Sequence, residues 1–125
     1  MEYKNKLFIN NEWTDSYEGE FIGTYNPANL VKISEIPRGK REDVNLAAES
    51  AKVTLKGEWK NYTPQDRGNL LVKFAEIIRN NYKELGKIEC EEMGRPINES
   101  EEEIQSVADC IIYNAGAADK LEGKV

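Results

Sequence analysis

The stretch "TPQDRGNLLVKFAEIIRNN", residues 63–81, decides how the chain is to be read. Thr63 is a good N-cap, Pro64 suits the first helical position, and Asp66 stands three residues on, so the start of a helix is written in three side chains. Leu70, Leu71, Phe74, Ile77 and Ile78 then recur at helical spacing and predict one buried stripe. Other stretches read outward from this anchor.

Upstream, Val44, Ala47, Ala48, Ala51 and Leu55 repeat with the same period, with Glu42 and Asp43 in the first turn and Gly57 as the stop. A helix over 41–56 follows. Earlier still the period shortens. "LFINNEW" sets Leu7, Phe8, Ile9 and Trp13 around Asn10-Asn11, a pair that tolerates the positive φ of a hairpin turn. In "FIGTYNPANLVKISEIP" a turn at Asn26-Pro27-Ala28-Asn29 precedes Val31, Ile33 and Glu35 on one side of a strand that Pro37 ends.

Downstream, "KELGKIECEEMG" carries Leu85, Ile88 and Met93, is interrupted by Gly86, and stops at Gly94 with Pro96 beyond. Asn98 with Glu101 signals another helix start. Ile104, Val107, Ala108, Ile111, Ile112, Ala115 and Leu121 extend its face, predicting a helix over roughly 99–122 that Gly123 ends. A single unit of short strands followed by about four amphipathic helices is expected. Those helices need something to cover, and the strands before residue 37 are few and local, so a sheet beyond Val125 is the expected partner.

Composition narrows the function. The 125 residues suffice for one domain or part of one. With 39% hydrophobic and 32% charged residues the chain reads as soluble and globular, although its mean hydropathy of −0.69 is polar for that class. A net charge of −6 and a pI near 4.8 argue against nucleic acid and anionic membranes as partners. Nothing approaches a membrane span, "MEYKNKLFINNEW" lacks the apolar run of a signal peptide, and a cytoplasmic setting is expected. The chain has no histidine, which removes Cys-His, Ser-His and His-metal chemistry together.

Cys90 and Cys110 lack CxxC spacing, so reduced thiols are expected. Neither sits at a helix N-terminus or beside a cation, the settings that produce a reactive thiolate. The acidic run "NESEEEI" reads as a solvated helix start rather than a metal site, since no calcium-loop spacing accompanies it. No Gly-rich phosphate loop occurs. Arg67 reads as a partner in a structural ion pair.

Taken in order, "LFINNEW", "YNPAN" with its strand ending in "IP", "EDVNLAAESAK", "TPQDRGNLLVKFAEIIRNN", "EEMGRP" and "YNAGAADKLEGK" resemble the N-terminal region of the NAD(P)-dependent aldehyde dehydrogenases. The resemblance covers nearly the whole chain. It departs from a common form at Ala117, where relatives often carry an aromatic. It implies an α/β parent fold, with residues 1–125 as a partial nucleotide-binding domain, truncated before the catalytic domain and with the central parallel sheet downstream.

The same resemblance implies the parent reaction. An aldehyde becomes a carboxylate: a cysteine thiolate attacks the carbonyl, hydride passes to NAD or NADP, and a glutamate-activated water hydrolyses the thioester. The catalytic cysteine, glutamate and oxyanion-holding asparagine all correspond to positions after Val125. Hence catalytic and cofactor-binding residues are expected to be none in this chain, and no cofactor is expected for it alone. By resemblance Thr24, Tyr25 and Glu92 fall where relatives help bind a monovalent cation, a partial site at most. Ser106 and Cys110 fall on the helix bordering the aldehyde tunnel, although ordinary surface or packing roles account for both. Expected partners are aldehyde dehydrogenase subunits, with an aldehyde substrate only in the parent. A competing expectation is a non-catalytic module that docks on a related full-length subunit; a small enzyme of unrelated chemistry is disfavoured for want of a nucleophile-base pair.

Overall fold

The computed structural model describes residues 5–120. Two compact units, Met1–Lys60 and Asn61–Val125, divide the chain. In the first, β1 (Leu7–Ile9) and β2 (Glu12–Thr14) form an antiparallel hairpin, with Asn10 at φ 54° and Asn11 at φ 63° making its turn. Both turn residues occupy the left-handed region that asparagine tolerates better than most side chains. Phe8 lies opposite Trp13, their ring centroids 4.9 Å apart.

A second antiparallel pair joins β3 (Phe21–Tyr25) to β4 (Lys32–Pro37). Its turn is held by Asn side chains: Asn26 Oδ1 accepts the Ala28 N–H and Asn29 Oδ1 accepts the Val31 N–H, each at 2.9 Å. Leu30 takes φ 61° to close it, at a backbone cost of about 1–2 kcal/mol. The register slips by one at Thr24/Tyr25, with Ile33 as the extra residue on β4.

Helix α1 (Arg41–Lys56) follows, with the bounds its sequence predicts, then a 3-10 turn at Glu58–Asn61. Buried Asp43 fastens the helix start, accepting the Lys40 N–H at 2.8 Å and the Tyr17 N–H at 2.9 Å. Further along, Ser50 Oγ donates to Asn10 Oδ1 at 3.1 Å and ties α1 to the tip of the first hairpin.

The second unit contains α2 (Pro64–Asn80), α3 (Tyr82–Met93) and α4 (Ile97–Ala115), with α4 packed against both others. Thr63 and Asp66 close the capping box at the start of α2 as predicted. Gly94 ends α3 in the left-handed conformation at φ 70°, its N–H on the Cys90 carbonyl at 3.0 Å.

Both bounds of the last helix differ from expectation. Helix α4 begins at Ile97 and not at 99: Pro96 is its N-cap residue, the Pro96 carbonyl already accepting the Ser100 N–H at 3.1 Å, so Asn98 lies inside the first turn rather than capping it. It also ends at Ala115 rather than near 122, because Gly116–Asp119 fold as turns instead of a further helical turn. Leu121 and Gly123 lie outside the described residues.

The larger correction concerns burial. Leu70, Leu71, Phe74 and Ile77 are expected inside, yet Phe74 is 52% and Ile77 59% exposed. On α1 the apolar face is open too, with Val44 65% and Leu55 61% exposed. What the second unit does bury is small: Gly68 and Ala75 on α2, Gly86 on α3, and Ser100, Ala108 and Ala115 on α4. A Cβ on Gly68 would stand 2.9 Å from the Ala115 carbonyl oxygen, and one on Gly86 would stand 3.0 Å from Glu101 Cα. The helices therefore meet backbone to backbone through small residues, leaving their large apolar stripes uncovered among the described residues.

Candidate functional site

Thr24 and Tyr25 sit at the register slip of the second hairpin. Thr24 is half-buried and its Oγ1 donates to the Ser34 carbonyl at 3.4 Å. The Tyr25 ring folds back over the strand: a Cβ on Gly23 would lie 2.9 Å from Tyr25 Cε2, so the absence of a side chain at Gly23 makes room for the ring. Glu92 lies in the last turn of α3, exposed, and belongs to the second unit while the other two belong to the first.

Ser106 and Cys110 stand one helical turn apart on α4, hence on one face, and both are exposed. The Ser106 hydroxyl donates to the Glu102 carbonyl at 3.1 Å. Asn114 Nδ2 donates to the Cys110 carbonyl at 2.8 Å and lies 3.6 Å from its sulfur. Both cysteines are free thiols, Cys90 half-buried and Cys110 exposed.

The acidic run after Pro96 is a helix start. Glu99, Glu102 and Glu103 are exposed, and Arg95 spans from Glu89 at 3.3 Å to Glu103 at 3.5 Å, bracing α3 against α4. Among the described residues no cluster of three or more Cys, Asp or Glu has metal-binding geometry. Nor is any described helix long and apolar enough to cross a membrane.

The electrostatic centre of the first unit is Lys40. Its amine lies 2.6 Å from Glu18 and 3.0 Å from Glu20, and Arg38 approaches Glu20 at 3.4 Å. Hydrogen bonds to Glu18 and then Glu20 raise Lys40 above the ordinary lysine value, and the hydrogen bond from Lys40 holds Glu20 below the usual carboxylate range. This exposed network supports the loop that Asp43 grips, and it contains no nucleophile-base pair.

Local patterns place Asp43 in the first turn of α1 but not its bond to Tyr17, and they do not reveal the small-residue seam as a packing surface. The seam does have a sequence signal: Gly68 and Ala75 are seven apart, as are Ala108 and Ala115, two turns of helix each.

Comparison with known proteins bears directly on these elements. The aldehyde dehydrogenase family pattern matches residues 13–125. An aldehyde dehydrogenase of Davidiella tassiana is 32% identical over 99% of the chain, a betaine aldehyde dehydrogenase of Bacillus subtilis 33% over 95%, and an Arabidopsis thaliana aldehyde dehydrogenase, family 2 member C4, 36% over 95%. The alignments take in 25%, 24% and 24% of those relatives, so the chain spans about a quarter of their length. Among solved structures, PnpE in complex with nicotinamide adenine dinucleotide superposes with a TM-score of 0.91 at 32% identity, covering 98% of this chain and 25% of that one. A Staphylococcus aureus betaine aldehyde dehydrogenase in complex with NAD+ gives 0.91 at 27% identity, with 98% and 25% covered. The short strands, the four helices and their order are thus those of known members, and the chain belongs to the aldehyde dehydrogenase family.

Proposed function

We propose that these 125 residues correspond to the N-terminal portion of the nucleotide-binding domain of an NAD(P)-dependent aldehyde dehydrogenase, and that alone they neither bind the dinucleotide nor oxidise an aldehyde. The observation that carries the reading is the match to one quarter of each relative, together with apolar helix stripes that no described residue covers. In the parent, the reaction would be aldehyde oxidation to a carboxylate with hydride transfer to NAD or NADP, carried by a cysteine, a glutamate and an asparagine beyond the matched quarter. The parent would assemble with like subunits.

Within that reading, Ser106 and Cys110 border the aldehyde tunnel, supported by their shared exposed face on α4. Thr24 and Tyr25 supply ligands to a monovalent cation, supported by the break in the β3–β4 ladder beside them; Glu92, exposed in the last turn of α3, is a ligand candidate on the resemblance alone. The rest of either site would come from other parts of the parent. Incubation of purified residues 1–125 with an aldehyde and NAD, followed by NADH absorbance, is expected to match the protein-free rate. Turnover that scales with protein overturns the proposal.

A second reading is favoured by the exposure of Phe74 and Ile77: a non-catalytic module that docks on a related full-length subunit. Size-exclusion chromatography of the chain alone separates the two. A cooperative, soluble monomer favours the module, whereas an aggregated or molten chain favours a part that needs its parent.

A further inference from the structure

We draw no further inference here: the strongest candidate, the open apolar groove of about 570 Å³ that Ala51, Leu55 and Trp59 line along α1 and the 3-10 turn after it, carries nothing because nothing in the structure shows what covers it.

Discussion

The carboxylate of Asp43 reaches across the chain to Tyr17 and accepts its backbone N–H at 2.9 Å, while its other oxygen accepts the Lys40 N–H at 2.8 Å. One buried side chain thereby caps α1 and holds the loop before β3. An asparagine at this position offers a single acceptor oxygen, so one of the two N–H groups loses its partner. Asp43→Asn is expected to destabilise the first unit by about 1–3 kcal/mol, the range for leaving a buried donor unsatisfied. Amide exchange at Tyr17 and at Lys40 reads the effect locally; unchanged protection at both contradicts it.

Gly86 lets α3 lie against the α4 backbone, where a Cβ would stand 3.0 Å from Glu101 Cα and 3.1 Å from Glu101 N. In an open helix, glycine to alanine gains roughly 1 kcal/mol. Here the clash is with backbone, so Gly86→Ala is expected to lose about 1–3 kcal/mol in urea unfolding. Gly39→Ala, where a Cβ meets nothing within 4 Å, is the control and should be nearly silent. Stabilisation by Gly86→Ala would show that the helices do not cross there.

Ser100 is fully buried on α4, and its hydroxyl has no hydrogen-bond partner among the described residues. Removing an unsatisfied buried hydroxyl relieves its desolvation, so Ser100→Ala should leave stability unchanged or raise it by about 1 kcal/mol. A loss of more than about 1 kcal/mol on chemical denaturation would mean the hydroxyl is bonded in solution.

At the start of α2 the Asp66 carboxylate takes a 2.6 Å hydrogen bond from the Thr63 hydroxyl and a 2.9 Å bond from the Thr63 N–H. These bonds, the hydroxyl's foremost, hold Asp66 below its ordinary value of 3.8. The unfolded chain then binds the proton more readily, so this contribution is whole above 3.8 and is lost as the pH falls through the lowered value. Asp66→Asn cannot titrate, and its helical signal should fall less steeply on acidification. Identical acid limbs for the two proteins would contradict the assignment.

Local chemistry was the legible part of this fold. Thr63, Pro64 and Asp66 mark the start of α2, and Asn10-Asn11 marks the hairpin turn, because each rests on backbone demands met within a few residues. Burial was not legible for the opposite reason. The periodicity of Leu70, Phe74 and Ile77 shows that α2 has an apolar face, but it carries no information on whether a cover for that face lies within the same 125 residues. The Asp43–Tyr17 bond joins positions 26 apart, and no local rule connects them. For the candidate site, Ser106 and Cys110 could be placed on one helix face from spacing alone. The role of Thr24, Tyr25 and Glu92 rests on the resemblance, since the register slip beside Thr24 depends on the pairing partner.

The chain carries the architecture of its family, and the proposal is that it does so without a nucleotide site. Calorimetric titration of purified residues 1–125 with NAD and with NADP tests it most directly. The account predicts no saturable heat for either nucleotide at millimolar concentration. Saturable one-to-one binding in the micromolar range would contradict it and place a working dinucleotide site within these residues.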